Sequence, residues 1–139
     1  MRQRRKTQIL SRLAELPDGE KLCHGDFHPD NILMDDKLWV IDWMTGVRGN
    51  PAADVARSVI MFSIGALPER ASMFTKGFLG FARKRLTAQY VRRYLKLSGM
   101  TLADINPWIL PVAAARLVEG LPVPEKELLV REIRRHLRA

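Results

Sequence analysis

The chain has 139 residues, of which 47% are hydrophobic and 27% are charged, and its formal net charge is +8. These values are typical of one globular domain, so we expect a single domain over residues 1–139. The single Cys23 excludes an intramolecular disulfide, and no apolar run approaches the roughly eighteen residues that cross a bilayer. A cytoplasmic location is therefore expected.

The first part of the chain predicts a helix, a loop and a short strand pair. Residues 2–16 carry apolar side chains on one helical face and end at the Pro-Asp-Gly turn of residues 17–19. Residues 22–31 form a polar loop. Residues 32–42 predict a β-hairpin, because two short apolar runs flank the polar turn at 35–37.

This hairpin is expected to bring two polar residues together. If its turn consists of residues 36 and 37, Asn31 lies directly opposite Asp42, with their Cα atoms about 4.5–5.5 Å apart. A three-residue turn would shift the pairing by one position and still leave the two residues neighbours. Both side chains offer oxygen atoms, the ligands that Mg²⁺ prefers. The sequence therefore predicts that Asn31 and Asp42 share one magnesium ion.

The rest of the chain predicts helices. Asn50 followed by Pro51 is typical of a helix start, and Thr101 with Asp104 fits a capping box in its acidic variant. Pro111 predicts a kink or a late start for the helix around it. Helices are expected at residues 51–64, 69–85, 87–99, 106–119 and from 124 onwards. Helical spacing predicts a core position for five aromatic side chains: Phe74, Phe78, Phe81, Tyr90 and Tyr94. The predicted fold class is mainly α with a small β-hairpin (α+β).

The polar loop carries the chemistry. It reads His24-Gly25-Asp26-Phe27-His28-Pro29-Asp30-Asn31, and the end of the hairpin reads Ile41-Asp42-Trp43. Phosphoryl transfer from a metal-bound nucleotide requires a carboxylate that orients the acceptor hydroxyl, together with an amide and a second carboxylate that hold magnesium. The loop and the hairpin supply this set.

These residues resemble the aminoglycoside phosphotransferase family and its choline kinase-like relatives, which have the protein-kinase-like fold. Residues 49–56 also resemble the family's Gly-x-Pro turn leading into an Asp-hydrophobic-Ala helix. The resemblance implies a phosphotransferase that uses Mg²⁺ and ATP. It implies Asp26 as the catalytic base and Asn31 and Asp42 as magnesium ligands. It further implies that Asp54 accepts the backbone N–H groups of the loop.

The resemblance is specific over residues 22–58, and beyond them it is only a helical pattern. The family's amino-terminal lobe supplies a Gly-rich turn and a strand Lys for the phosphates, and residues 1–21 contain neither. We therefore expect the chain to correspond to the carboxy-terminal lobe of a protein-kinase-like phosphotransferase, with the nucleotide-binding lobe absent. The isolated chain is then expected to bind ATP weakly and to turn over poorly.

The two loop histidines have different expected roles. His24 is predicted to brace the loop through hydrogen bonds of its ring. His28 is assigned to the nucleotide site, where it either approaches the γ-phosphate, as a Lys does at this place in protein kinases, or packs beside the metal. The His24-x-Asp26-x-His28 pattern also permits a zinc or di-metal hydrolase, an alternative that the downstream Asn and Asp fit less well.

The acceptor is expected to be a neutral or anionic small-molecule alcohol. No acidic residue lies between Glu69 and Asp104, whereas a polycationic aminoglycoside would need carboxylates in its pocket, although Glu119 follows later. One alternative is a non-catalytic remnant that acts as an interaction module and self-associates through an exposed inter-lobe surface. A basic nucleic-acid-binding domain is less expected, because no binding motif accompanies the charges. No membrane partner is expected.

Overall fold

The structure, a computed structural model, describes residues 2–65 and 67–138. These residues form helices and two small antiparallel sheets, which confirms the α+β class. The helices are α1 (Arg2–Ala14), α2 (Pro51–Ser63), α3 (Met73–Ser98), α4 (Leu102–Arg116) and α5 (Val123–Arg138). The strands are β1 (Lys21–Cys23), β2 (Ile32–Met34), β3 (Leu38–Val40) and β4 (Val47–Gly49), and a 3₁₀ turn covers Pro29–Asn31. Across the described ranges, no helix is both long enough and apolar enough to span a membrane.

The core lies between α2, α4 and α5. Apolar side chains recur at helical spacing on the facing sides of these helices, so burying them removes one continuous apolar stripe from each helix. Tyr90 and Tyr94 of α3 and Ile9 of α1 pack against this core from outside. The buried cluster contains Ala52, Val55, Ala56, Ile60, Ile105, Ile109, Leu110, Ala113, Leu129 and Ile133.

The start of α2 is fixed in the way its sequence predicts. The Asn50 side chain accepts a hydrogen bond from the backbone N–H of Ala52 at 2.9 Å, and Pro51 occupies the first helical position. The Asn50 amide also donates to the carbonyl oxygen of Pro17 at 2.9 Å. The predicted helix start is therefore confirmed, and the cap ties it to the turn that follows α1.

The hairpin has a three-residue turn. Its strands pair Ile32 with Val40, Leu33 with Trp39 and Met34 with Leu38, which leaves residues 35–37 in the turn. The prediction of a two-residue turn is therefore wrong. The alternative prediction, a three-residue turn that shifts the strand pairing by one position, is confirmed. Asp35 N–H donates to the carbonyl oxygen of Lys37 at 3.0 Å, a bond that closes the longer turn.

A second sheet was not predicted. Strands β1 and β4 pair antiparallel, with Lys21 opposite Gly49 and Cys23 opposite Val47. Each strand has only three residues, too few for an alternating pattern to stand out in the sequence. The two sheets flank the polar loop along the chain. Strand β1 leads into the loop, the hairpin follows it, and β4 connects the hairpin to α2.

One long helix replaces two predicted ones. Helix α3 begins after its cap Ser72 and ends at Gly99, whose φ of 72° is left-handed. Thr87, expected to cap a new helix, instead donates its hydroxyl to the Arg83 carbonyl oxygen at 2.9 Å within the same helix. The core prediction is wrong for three aromatic residues of the first half, since they remain 86%, 64% and 63% exposed: Phe74, Phe78 and Phe81.

Helix α4 starts earlier than predicted. The Asp104 carboxylate accepts the backbone N–H of Thr101 at 2.7 Å and the Thr101 hydroxyl at 2.8 Å, which confirms the capping box. Pro107 and Pro111 both lie inside the helix. The expected late start at Pro111 is therefore wrong, because the capping interaction establishes the helix before either proline is reached.

Candidate active site

Asp54 holds the backbone at the start of the polar loop. It lies in the first turn of α2, and its two carboxylate oxygens accept the backbone N–H groups of His24 and Gly25, each at 2.8 Å. Hydrogen bonds to a charged acceptor are roughly twice as strong as neutral ones. Because the capped start of α2 fixes Asp54, it also fixes where the loop begins.

His24 connects the loop to the end of the hairpin. The residue is 3% exposed, its Nε2 donates to the Ile41 carbonyl oxygen at 2.9 Å, and its Nδ1 accepts the backbone N–H of Asp26 at 3.2 Å. A ring that donates through one nitrogen and accepts through the other is neutral imidazole. Trp43 packs beside it with ring centroids 4.5 Å apart. Since both nitrogens are occupied, His24 is a poor metal ligand, which disfavours the zinc hydrolase alternative.

Gly25 allows the sharp turn between His24 and Asp26. Its φ of 77° is left-handed, and a Cβ at this position would lie 2.6 Å from the Thr45 carbonyl oxygen. The Thr45 hydroxyl in turn donates to the His24 carbonyl oxygen at 3.0 Å. Only glycine satisfies both the backbone angle and the close approach. The tight loop that the sequence indicates therefore depends on this residue.

Three of the predicted site residues meet at the carboxylate of Asp26. The Asn31 amide nitrogen donates to the Asp26 backbone oxygen at 2.8 Å and to its Oδ2 at 3.3 Å. His28 Nε2 lies 3.4 Å from the same Oδ2 and 3.3 Å from the Asn31 amide. Asn31 is buried, whereas the Asp26 side chain is 33% exposed. The carboxylate is thus oriented from inside the loop and still accessible to a small molecule.

The two candidate magnesium ligands, Asn31 and Asp42, lie just beyond the two strands of the hairpin at its open end, offset by one residue. Ile41 N–H donates to the Asn31 carbonyl oxygen at 2.9 Å, so Asp42 comes directly after the residue that pairs with Asn31. Asp42 is exposed and has a left-handed φ of 59°, a conformation that costs energy for a non-glycine residue and often marks a functional position.

The donor set fits a magnesium ion. Because the Asn31 nitrogen is used within the loop, its Oδ1 is the atom able to bind a cation, and Asp42 adds a carboxylate. Within residues 2–65 and 67–138, no three or more His, Cys, Asp or Glu side chains form a group able to hold a metal. Mg²⁺ commonly takes one or two protein oxygens and completes its shell with water and phosphate.

Two residues outside the loop motif anchor the other side of the loop. The Ser58 hydroxyl donates to the Phe27 carbonyl oxygen at 2.9 Å. The Phe27 and Tyr90 rings stack with centroids 5.8 Å apart. Burial raises the pKa of Tyr90 to about 12, and the nearby Asp54 charge acts in the same direction. Only the position of Ser58 one helical turn after Asp54 could have indicated this role.

A charged network borders the site, and no local pattern in the sequence indicates it. Arg57 binds Glu119 with both terminal nitrogens, at 2.6 and 3.2 Å, and Arg116 reaches the same carboxylate at 3.2 Å. Arg57 Nη2 also lies 3.9 Å from Asp26 Oδ1. The network joins α2 to the end of α4 across a distance of 62 residues in the chain.

The cysteine next to the loop is a buried thiol. Cys23 is 4% exposed and its Sγ lies 3.6 Å from the Lys21 carbonyl oxygen. Burial raises the pKa of this thiol, and the Asp54 charge raises it further. A raised pKa lowers the thiolate fraction at neutral pH, so Cys23 is suited to packing and poorly suited to nucleophilic chemistry.

Comparison with known protein families identifies a match that includes the polar loop and its surroundings. The phosphotransferase enzyme family matches residues 2–96, a range that contains the polar loop, the hairpin, α2 and nearly all of α3. No curated protein and no solved structure matches the chain. Because the family match covers more than half of the 139 residues, this chain belongs to the phosphotransferase enzyme family.

Proposed function

We propose that this chain is the carboxy-terminal, catalytic lobe of a protein-kinase-like phosphotransferase, which transfers the γ-phosphoryl group of Mg²⁺-ATP to a hydroxyl of a small molecule. The observation that carries the proposal is the meeting of Asn31 and His28 at the carboxylate of Asp26, in a loop held by Asp54. An isolated turn aspartate would not need such support.

In this proposal Asp26 orients the acceptor hydroxyl and takes its proton as the phosphoryl group moves. Its accessible carboxylate can accept a hydrogen bond from a bound alcohol, while Asn31 and His28 keep its other oxygen oriented. Oδ1 of Asn31 and the carboxylate of Asp42 would hold the magnesium ion, which neutralises charge on the transferring phosphate. Transfer is direct, so no side chain of the loop has to form a covalent intermediate.

The acceptor in this proposal is a neutral or anionic alcohol rather than a polycationic aminoglycoside. Glu119 is a later carboxylate in the network that borders Asp26, and it is already paired with Arg57 and Arg116. A paired carboxylate has little attraction left for a substrate ammonium group. The pairing of Glu119 therefore supports an acceptor that carries no ammonium groups.

Transfer of radiolabelled phosphate from ATP to a panel of hydroxylated metabolites and antibiotics tests the proposal. Asp26→Asn should lower the rate by about 10²–10⁴-fold, because general-base assistance is lost. Asp36→Asn is a matched control, since Asp36 is an exposed residue in the turn of the hairpin, and it should leave the rate within about 2-fold of wild type. Equal losses in the two variants would contradict the role of Asp26. A strong preference for kanamycin-like acceptors would contradict the acceptor class.

A second candidate function is that of an interaction module, and one surface favours it. The hairpin surface is defined by five apolar side chains that remain more than half exposed: Leu33, Met34, Leu38, Trp39 and Met44. Leu33 and Trp39 share one face of the hairpin and Met34 and Leu38 share the other, and exposed apolar surface of this kind often marks an interface. The hairpin is a two-stranded sheet with unpaired edges, which can accept a like strand, so a second copy of the chain is the proposed occupant.

A further inference from the structure

The carboxylate of Asp26 has a second neighbour besides the loop residues. Its Oδ2 faces Asn31 and His28, whereas its Oδ1 faces Arg57, with 3.9 Å between Oδ1 and Nη2. This separation is too long for a hydrogen bond and short enough for a strong attraction between opposite charges in a partly buried site. Oδ1 therefore keeps its lone pairs available for a ligand hydroxyl.

Arg57 comes from the same helical turn that holds the loop backbone. It follows Asp54 by three residues, so the two side chains leave adjacent positions on the surface of α2. Asp54 binds the backbone N–H groups of the loop, and Arg57 extends to its side-chain carboxylate. One turn of α2 thus controls both the path of the loop and the surroundings of Asp26.

Glu119 keeps the guanidinium group of Arg57 in place. The two side chains form a forked pair, which fixes the plane of the guanidinium as well as its position. Arg116, whose side chain is only 10% exposed, binds the same Oε2 of Glu119 that Arg57 Nη2 contacts. The charges alternate in sign from Asp26 through Arg57 and Glu119 to Arg116, so each group is balanced by its neighbours.

The arrangement is not the one that would satisfy Arg57 best. Its Nε is buried without a hydrogen-bond partner among the described residues. Unpaired buried donors are rare in proteins and call for a reason. A guanidinium that moved toward Asp26 could make a direct ion pair, and the fork with Glu119 opposes that movement.

We propose that Arg57 is a positioning residue for Asp26, and that Glu119 with Arg116 holds it at a distance from which it orients the carboxylate without occupying it. A direct Arg57–Asp26 ion pair would use the oxygen that must accept the hydroxyl proton. The catalytic meaning of this arrangement rests on the proposed phosphotransferase function, whereas the arrangement itself can be tested without nucleotide.

The orientation of the Asp26 side chain, measured by NMR, tests the inference. The three-bond couplings between Hα and the two Hβ atoms of Asp26 should match one fixed χ1 rotamer in wild type. Arg57→Gln should move both couplings toward the values of an average over rotamers, and Arg57→Lys should restore the wild-type values at least in part. Glu119→Gln should keep one rotamer and shift the Asp26 carboxyl ¹³C resonance, as Arg57 closes onto it.

The exposed ion pair between Arg48 and Glu20, 2.5 Å apart, provides the control. Arg48→Gln removes one arginine from a strand and should leave the Asp26 couplings and carboxyl resonance unchanged. Unchanged Asp26 signals in both Arg57→Gln and Glu119→Gln would overturn the inference, as would equal changes in Arg48→Gln. The NMR experiment contains no ATP, so its result does not depend on phosphoryl transfer. If phosphoryl transfer fails while the NMR changes are observed, Arg57 still positions Asp26, but that positioning has no role in catalysis.

Discussion

Tyr90 links the polar loop to α3 through the stacking of its ring on Phe27, and ionisation of its hydroxyl should be visible in the stability. Its pKa is about 12 in the fold and about 10 in an unfolded chain. A raised pKa means that the stabilisation is fully present below pH 10 and is lost as the pH rises from 10 to 12. The loss amounts to about 3 kcal/mol.

Urea unfolding of wild type and Tyr90→Phe across pH 8–12 measures this effect. The phenylalanine variant retains the ring stacking on Phe27 and lacks the ionisable group, so its stability should fall less steeply between pH 10 and 12. The wild type should approach or drop below the variant at the alkaline end. Parallel curves over the whole range would show that Tyr90 is not protected from ionisation by burial.

Gly25 and Gly99 form a matched pair for the cost of a side chain at a left-handed position. Their φ values are 77° and 72°, yet a Cβ at Gly25 would lie 2.6 Å from the Thr45 carbonyl oxygen, and a Cβ at Gly99 would meet nothing within 4 Å. Gly99→Ala should cost about 1 kcal/mol, from the backbone angle alone. Gly25→Ala should cost about 3 kcal/mol, because a backbone contact must also give way.

The free energy of unfolding, from urea titration of the two variants, gives the comparison. Equal losses would mean that the approach of Thr45 to Gly25 is looser than the structure shows. A larger loss for Gly25→Ala is expected to be accompanied by faster labelling of the Cys23 thiol, since Cys23 is buried and lies two residues before Gly25.

At the scale of elements, the sequence predicted those parts that local chemistry decides. The Asn50 cap and the Thr101–Asp104 capping box lie where their side chains can satisfy free helix N–H groups, so the pattern alone was sufficient. In both cases a single segment contains all the information that is needed.

Other elements could not be predicted, because their shape depends on distant partners. Helix α3 has no strong break at Thr87, and whether its phenylalanines are buried depends on which neighbours reach its first half. Strands β1 and β4 exist only as a pair. The hairpin turn had two acceptable lengths, and the choice between them needed the hydrogen bond from Asp35 to Lys37.

The candidate site shows the same division. A loop motif predicted that Asp26, Asn31 and His28 would lie close together, since all three belong to one short segment. The pairing of Arg57 with Glu119 could not be predicted, because the chain between them must fold before they meet. Charged pairs between distant segments carry no local pattern, so the sequence indicated Glu119 only as a later carboxylate and did not indicate Arg57.

At the scale of the whole molecule, the hairpin surface should decide the oligomeric state. Leu38→Glu places a charge on this surface at a residue that is 69% exposed, and Leu97→Glu places the same charge on α3 at a residue that is 71% exposed. Size-exclusion chromatography with light scattering should show a dimer for wild type and Leu97→Glu, and a monomer for Leu38→Glu. A monomeric wild type at high concentration would contradict the interaction module.

The central claim is that the loop and the hairpin together form a cradle for a divalent cation beside Asp26. Titration of the ¹⁵N-labelled chain with Mn²⁺, with and without ATP, tests it most directly, because a paramagnetic ion broadens nearby amide resonances. We expect broadening centred on Asn31 and Asp42, and its loss at this place in Asp42→Asn. Broadening centred instead on the exposed turn carboxylates Asp35 and Asp36, or unaffected by Asp42→Asn, would contradict the account.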